Sequence, residues 1–196
     1  MTNTLSHKIG LYFGSFNPVH IGHLAIANYM LEFTDLEKIW FVISPHNPLK
    51  EKKSLLADYH RLEMVHLALY DEYNMRPTDI EFNLPQPSYT IDTLTYLSEK
   101  YPQHEFVVIM GGDSMESLHK WKNYQALLEN YQVYVYARPD AEHTKNAHKN
   151  IQVFQAPQME LSASFIRNAI KDGKNMKYFL PLKVWDYIDS MHFYKK

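Results

Sequence analysis

The stretch IGLYFGSFNPVHIGH, residues 9–23, decides the fold, because it predicts a buried strand, a glycine loop and the start of a helix in succession. Ile9–Phe13 is almost entirely apolar, which is typical of a strand covered on both faces. From Ile21 to about Phe33 the apolar side chains recur with a helical period. Further strand-like runs are IWFVI (39–43), FVVIM (106–110), VYVYA (133–137) and a weaker IQVF (151–154).

Helical segments separate these apolar runs. Two predicted helices begin at N-caps, Asp58 and Thr90, and a third covers Asn123–Glu129. A fourth runs from an N-cap at Ser162 to Gly173, which would end it. The last helix runs from Pro181 to about Ser190. A short strand is also predicted at Asp79–Phe82. The alternation predicts an α/β fold, with a doubly wound parallel sheet, helices on both faces and a C-terminal helical segment. We predict one domain over residues 1–196, with the sheet core at about 8–160 and the C-terminal helices at 161–196.

Composition narrows the functional classes. The 196 residues carry 20 Lys and Arg against 22 Asp and Glu, a net charge of −2, so no basic stripe indicates a nucleic-acid footprint. No cysteine is present, which excludes disulfides, a thiol nucleophile and cysteine-based metal sites. The N-terminal stretch has no signal-peptide pattern, and the apolar runs are too short to span a bilayer. We therefore expect a soluble cytoplasmic protein without membrane or nucleic-acid partners.

The loop after the first strand has the chemistry of an anion site. Gly14 permits close approach to the backbone, and the following helix start presents free N–H groups. His20 and His23 are three positions apart, so on a helix they share a face, with Gly22 leaving room between them. Two imidazoles at a helix N-terminus suit a polyphosphate. The spacing alone also fits a surface position, core packing or a pair of metal ligands.

Three motifs carry a family resemblance. GSFNPVHIGH (14–23) resembles the signature loop of the nucleotidyltransferase superfamily that includes nicotinate and nicotinamide mononucleotide adenylyltransferases. LSASFIR (161–167) is similar to the ISSTxIR signature, with Ala163 and Ser164 where the family has Ser and Thr. PSYTIDTL (87–94) resembles PSYTxDTL of the bacterial nicotinate-mononucleotide adenylyltransferases. The matches run from about Ile9 to Arg167 and imply a Rossmann-like nucleotidyltransferase domain.

The resemblance implies transfer of AMP from ATP to nicotinate mononucleotide, a step of NAD biosynthesis, with Mg²⁺ entering on ATP and no metal ligand from the protein. The implied catalytic residues are His20, His23, Lys50 and Arg167. The implied ATP-binding residues are Gly14, Ser15, Phe16, His20, Gly22, His23, Arg138, Ser162, Ser164 and Arg167. The implied mononucleotide-binding residues are Asn17, Tyr89, Thr90, Asp113 and Trp121.

Several alternatives stay open. A superfamily member acting on nicotinamide mononucleotide or phosphopantetheine would share the same loop. A regulator that binds nucleotides without catalysis would be expected to lose a histidine of the loop, and both histidines are present. HIGH (20–23) also occurs in class I aminoacyl-tRNA synthetases, but the chain has neither KMSKS nor an anticodon module. G-x-G-x-x-G is absent, which weakens an NAD-dependent oxidoreductase. Asp113 could simply cap a helix, Trp121 could pack in the core, and Arg61 is as easily a surface residue. No oligomeric state is predicted.

Overall fold

The computed structural model describes residues 7–45, 55–137, 148–157 and 159–195. Within them six strands form one parallel sheet: β1 (Lys8–Gly14), β2 (Lys38–Ile43), β3 (Met75–Thr78), β4 (Glu105–Gly111), β5 (Gln132–Ala137) and β6 (Ile151–Gln155). The strand order is β3-β2-β1-β4-β5-β6. Strands β2 and β3 therefore lie on one side of β1, and strands β4, β5 and β6 lie on its other side. This is the doubly wound arrangement.

Seven α-helices connect or follow the strands in the described residues. They are α1 (Ile21–Phe33), α2 (Asp58–Ala68), α3 (Thr90–Lys100), α4 (Gly112–Glu116), α5 (Tyr124–Asn130), α6 (Ala163–Lys171) and α7 (Leu182–Ser190). Short 3-10 turns lie at Ile80–Asn83, Leu118–Lys120 and Lys177–Phe179.

The sheet separates two apolar cores. Along β4, Val107 and Ile109 face one core, whereas Phe106, Val108 and Met110 face the other. Helices α1, α2, α6 and α7 cover the first face, and α3 and α5 cover the second. Because both faces are buried, the strands need apolar side chains at successive positions rather than at alternate ones. The predicted fold class is confirmed.

One predicted strand is wrong. Asp79–Phe82 does not extend the sheet; residues Ile80–Asn83 form a 3-10 turn, and the strand lies earlier, at Met75–Thr78. That strand is at the edge of the sheet and contains Pro77. An edge strand can accept a proline because one side of its backbone has no ladder partner, so the proline concealed the strand.

Two predicted N-caps are displaced by one residue. Asp58 and Thr90 are each the first helical residue, and the caps are Ala57 and Tyr89. Neither cap makes a side-chain hydrogen bond to its helix. Asp58 still places a carboxylate at the positive end of α2, which is favourable for the helix dipole.

The C-terminal helix boundaries are closer to prediction. Ser162 caps α6, and its Oγ accepts a hydrogen bond from the Phe165 N–H at 3.1 Å. Gly173 follows the end of α6 with φ +74°, a left-handed conformation that glycine adopts without strain. Pro181 is the N-cap of α7 rather than part of its first turn, so the helix begins at Leu182.

The C-terminal helices belong to the same packing as the sheet. Ile166 and Ile170 of α6 and Val184 and Ile188 of α7 are all buried in the first core. The division of residues 1–196 into one domain with a C-terminal segment remains a prediction. In the described ranges, no helix combines the length and apolarity that a membrane crossing requires.

Candidate active site

Two cavities open at the carboxyl ends of the central strands β1 and β4, where the strand order reverses. The first, about 680 Å³, is lined by His20, His23, Ser162 and Arg167, among others, and we call it the histidine cavity. The second, about 660 Å³, is lined by Glu81, Thr90, Trp121 and other residues, and we call it the tryptophan cavity. Both have the size of a small-molecule site.

The two cavities are continuous. Their common lining includes Gly14, Ser15 and Asp113, together with Tyr12 and Tyr136. We call this shared region the junction. It lies at the topological switch point, where doubly wound sheets bind their ligands. Two ligands, one in each cavity, would therefore meet beside the end of β1.

The histidines meet in a different way from that predicted. His20 is the N-cap of α1 with an extended backbone (φ −145°), so only His23 lies on the helix. The two rings nevertheless stack, with centroids 3.7 Å apart and planes inclined by 30°. The His23 Nδ1 atom accepts a hydrogen bond from the His20 backbone N–H at 3.2 Å. This bond satisfies one of the N–H groups that a helix start leaves unpaired.

His20 is buried, with 5% of its surface exposed, and it lines the histidine cavity. Burial lowers its pKa from 6.5 to about 4, so the ring is neutral at physiological pH. Its Nδ1 atom has no hydrogen-bond partner among the described residues. A buried polar atom without a partner is costly, and such atoms concentrate at sites that bind ligands.

Gly14 and Gly22 make room for protein rings. A Cβ atom at Gly14 would lie 2.8 Å from the Phe16 ring, and one at Gly22 would lie 3.1 Å from Nδ1 of His20. Phe16 has φ +44°, which turns the loop back on β1. Its ring is buried in the first core, 5.2 Å from the ring of His23. The glycines therefore shape the site indirectly, by fixing the two rings that border it.

The start of α6 faces the same cavity as the histidines. Arg167 donates a hydrogen bond from Nη1 to the Asn17 carbonyl oxygen at 2.7 Å, and another from Nη2 to Ser164 Oγ at 3.1 Å. Ser162 and Ser164 are exposed and line the cavity. The structure thus brings the GSFNPVHIGH and LSASFIR motifs together, although 150 positions separate Asn17 from Arg167.

Asn17 is a brace for the first loop. Its side chain is buried, and Oδ1 accepts hydrogen bonds from the Tyr194 hydroxyl at 2.7 Å and the Leu56 N–H at 3.4 Å. Asn17 lines the histidine cavity and not the tryptophan cavity. Its predicted contact with the mononucleotide remains a prediction.

Aromatic and cationic side chains surround the tryptophan cavity. Tyr89, Thr90 and Trp121, which the resemblance implies for mononucleotide binding, all line it, and their contact with that substrate remains a prediction. Lys120 and Lys122 line it as well, which the sequence analysis did not anticipate. The Lys122 ammonium is 4.8 Å from the centre of the Tyr89 ring and also pairs with a carboxylate of α3. The cavity can therefore hold a flat ring that carries a negative charge.

Glu81 is a further residue of this cavity that was not predicted from the sequence. It is 2% exposed and lines the tryptophan cavity from the 3-10 turn after β3. Its carboxyl group accepts hydrogen bonds from Ser88 Oγ at 2.9 Å and Thr93 Oγ1 at 2.8 Å. Burial raises its pKa, while the hydrogen bonds from Thr93, Ser88 and Ser44 oppose that rise. Glu81 therefore fixes the PSYT segment at the start of α3.

Arg61 is not a surface residue. Its side chain is fully buried, and its guanidinium donates to the carbonyl oxygens of Ser15 at 2.6 Å and Ser44 at 2.9 Å. It also pairs with the Asp58 carboxylate at 2.5 Å. Ser15 follows β1 and Ser44 follows β2, so one side chain from α2 ties together the loops after two neighbouring strands. The helical period could have revealed it, because Arg61 precedes the buried Met64 by three positions.

Asp113 is the exposed carboxylate of the junction, on the five-residue helix α4. Gly111, not Asp113, is the N-cap of that helix. In the described part of the chain, no group of three or more His, Asp or Glu side chains is arranged to hold a metal ion. Lys50 and Arg138 lie outside the described residues, so their predicted contacts with ATP remain predictions.

Comparison with known proteins identifies the family and the fold. The model of the cytidylyltransferase-like family matches residues 11–169. A Flavobacterium johnsoniae protein named "Probable nicotinate-nucleotide adenylyltransferase" is 57% identical over 96% of this chain and 100% of its own length. A protein of the same name from Flavobacterium psychrophilum is 55% identical over the same shares. A solved structure of Plasmodium falciparum nicotinic acid mononucleotide adenylyltransferase complexed with NaAD shares the fold, with a TM-score of 0.78, 19% identity, and coverage of 96% of this chain and 97% of that one.

Proposed function

The chain belongs to the cytidylyltransferase-like family, and from that premise we propose that it transfers AMP from ATP to nicotinate mononucleotide. The products are nicotinate adenine dinucleotide and pyrophosphate, and the reaction is a step of NAD biosynthesis. The relatives named for this activity extend over nearly the whole chain. The observation that carries the proposal is the pair of continuous cavities, one suited to polyphosphate and the other to a flat anionic ring.

The reaction needs no protein nucleophile. The attacking group is the phosphate monoester of the mononucleotide, whose second pKa is near ~6, so it is largely ionised at neutral pH without a general base. Catalysis then consists of aligning two anions and stabilising the charge that develops on the α-phosphate and the departing pyrophosphate. Holding reactants in line can lower the barrier by roughly 7–11 kcal/mol.

We assign ATP to the histidine cavity. His20 and His23 can donate N–H groups to phosphate oxygens, and the N-terminus of α1 adds the positive end of its dipole. Arg167 and the hydroxyls of Ser162 and Ser164 approach from the α6 side. Lys50 and Arg138 are proposed as further cations for the triphosphate, on the resemblance of their segments alone. Gly14, Ser15, Phe16 and Gly22 shape the loop that holds the phosphates.

We assign the mononucleotide to the tryptophan cavity. The Trp121 ring can stack on the pyridine ring, which would bury aromatic area with favourable geometry. Tyr89 and Thr90 begin α3, whose N-terminus suits the pyridine carboxylate. Asp113 at the junction can accept hydrogen bonds from ribose hydroxyls. The resemblance implies Asn17 for this substrate as well, although Asn17 lines the histidine cavity, which we assign to ATP.

Mg²⁺ is proposed to arrive with ATP, coordinated mainly by phosphates and water, as is usual for this ion. The donor set fits this role, because the exposed carboxylate of Asp113 lines both cavities beside the expected phosphate position. When bound, the ion would neutralise charge on the leaving pyrophosphate.

Pyrophosphate release tests the proposal. Purified protein is supplied with Mg²⁺ and ATP, and with nicotinate mononucleotide, nicotinamide mononucleotide or phosphopantetheine as acceptor, each against a control lacking the acceptor. We expect the highest kcat/KM with nicotinate mononucleotide. A higher value with nicotinamide mononucleotide or phosphopantetheine would assign the chain to another adenylyltransferase of the superfamily. No release with any of the three would contradict the proposed activity.

A further inference from the structure

Two phenols lie where the cavities join. Tyr12 on β1 and Tyr136 on β5 both line both cavities, and their hydroxyl oxygens are 3.3 Å apart. They reach each other across β4, which lies between their strands in the sheet. Gly111 of β4 pairs with Tyr136, and a Cβ atom there would lie 3.2 Å from the Tyr136 ring. A side chain at position 111 would press on the Tyr136 ring, so the glycine leaves room for the pair.

The pair has more protons than its mutual hydrogen bond uses. Each phenol carries one hydroxyl proton, and the bond between the two oxygens consumes one of them. Tyr12 is the more enclosed partner, with 5% of its surface exposed, whereas Tyr136 is half-buried. When Tyr12 donates to Tyr136, the proton of the Tyr136 hydroxyl remains for a third group. Among the described residues, neither hydroxyl makes another hydrogen bond that the structure shows.

The phenols act as donors rather than as bases. Burial raises the pKa of both Tyr12 and Tyr136, so both keep their protons at neutral pH. A neutral O–H group at the junction can approach a phosphate oxygen without the repulsion that a carboxylate would meet. Asp113 is a neighbouring negative charge, and its carboxylate also raises the pKa of Tyr136.

We infer that Tyr136 is a catalytic hydrogen-bond donor to the reacting phosphate at the junction, with Tyr12 as the positioning residue that orients its hydroxyl. The inference rests on the proposed function, because it requires the two phosphates to meet between the cavities. In that step an oxygen of the monoester forms a bond to the α-phosphorus. The bond from that phosphorus to the oxygen bridging to the β-phosphate breaks, and its electron pair leaves with pyrophosphate. Tyr136 transfers no proton; it stabilises the charge on a non-bridging oxygen.

The test is removal of single hydroxyl groups. Tyr136→Phe keeps the ring over Gly111 and deletes only the donor, and we expect kcat to fall about 10- to 100-fold, the loss typical of a hydrogen bond to a charged group. KM for either substrate should change much less than kcat. Tyr12→Phe should reduce kcat less, because the donor remains. Tyr134→Phe is the matched control, since its hydroxyl contacts Asp35 and lines neither cavity; its kcat should equal that of the unmodified protein.

A double variant shows whether the Tyr136 hydroxyl acts on the substrate directly or only through its effect on Asp113. In the Asp113→Asn background, Tyr136→Phe should still lower kcat by a similar factor. A loss that disappears in this background would overturn the inference, as would a Tyr136→Phe kcat within a factor of about three of the unmodified protein. These results are distinct from failure of the proposed function, in which the unmodified protein itself releases no pyrophosphate and the inference falls with it.

Discussion

The histidine and tryptophan cavities share a junction but are assembled in different ways. The histidine cavity joins segments remote in sequence, as the Arg167 contact with Asn17 across 150 positions shows. The tryptophan cavity is braced locally, since Glu81 bonds to Ser88 and Thr93, only 7 and 12 positions away. Both cavities are lined by distant parts of the chain, but the difference teaches that the α6 wall of the histidine cavity is fixed by a long-range contact, whereas the PSYT wall of the tryptophan cavity is fixed from nearby in the sequence.

Arg61→Met should disturb both cavities, because the Arg61 guanidinium donates to carbonyl oxygens in the loops after both β1 and β2. The substitution leaves buried carbonyl oxygens without donors, so we expect the free energy of unfolding to fall by about 3–5 kcal/mol. Urea unfolding measures the change. Arg76→Met is the control, because Arg76 stacks on Trp40 and lines neither cavity; its loss should be under about 1 kcal/mol. Equal losses in the two variants would contradict the bracing role.

His20→Ala and His23→Ala should disable only the histidine cavity. We expect each to lower kcat by about 10²–10³-fold, the scale of losing one donor to a developing oxyanion. KM for nicotinate mononucleotide should change little, because that substrate is assigned to the other cavity. His66→Ala, an exposed position on α2, serves as control. Near-normal kcat in both site variants would remove the histidines from the mechanism.

The burial of His20 predicts an acid-sensitive stability. Its pKa is about 4 in the folded state against an ordinary value of 6.5, so between these pH values the unfolded chain binds a proton that the folded chain does not. Stability is therefore complete above pH 6.5 and declines as the pH falls toward 4, by about 3 kcal/mol in all from this group. Unfolding of the unmodified protein and of His20→Gln across this range measures it. The same pH dependence in both proteins would show that His20 contributes nothing.

Substitutions of Glu81 test whether its hydrogen bonds hold the PSYT segment in place beside the tryptophan cavity. Glu81→Ala removes the acceptor of the Ser88 hydroxyl and leaves the Thr93 hydroxyl only a longer contact of 3.4 Å to the Tyr89 carbonyl oxygen, which should cost about 1–3 kcal/mol of unfolding free energy. It should also raise KM for nicotinate mononucleotide more than KM for ATP. Glu81→Gln offers an oxygen and an N–H in the same place and should recover much of the lost affinity. If Gln behaves as Ala does, the hydrogen bonds are not what positions the segment.

The smallest expected effect is at Trp121. Trp121→Ala removes the proposed stacking surface, worth about 0.5–1.5 kcal/mol beyond simple burial, so KM for nicotinate mononucleotide should rise roughly 2- to 10-fold. Trp121→Phe should keep part of the affinity. KM for ATP should stay within the error of the assay. An equal rise for both substrates would argue against stacking on the pyridine ring.

The sequence predicts the parts of this molecule that periodicity or motif chemistry mark. Continuous apolar strands identified the doubly wound sheet, and the matches of three motifs identified the family that the relatives confirm. Arg61 and Glu81 escaped because a buried charge is defined by its partners, and those partners come from other segments or from side-chain geometry. The start of α1 at Ile21 was predicted correctly, so His20 lies just before the helix, and the spacing of His20 and His23 alone could not show how their rings meet.

The bond from the Tyr194 hydroxyl to Asn17 has a consequence for biosynthesis. It links the first loop to a residue 177 positions later in the chain. Because a ribosome makes the chain from its N-terminus, the first loop is synthesised early, whereas Tyr194 is synthesised after all the intervening helices and strands. Until Tyr194 has been made, Asn17 lacks this hydrogen bond, and the histidine cavity of the nascent chain is incomplete.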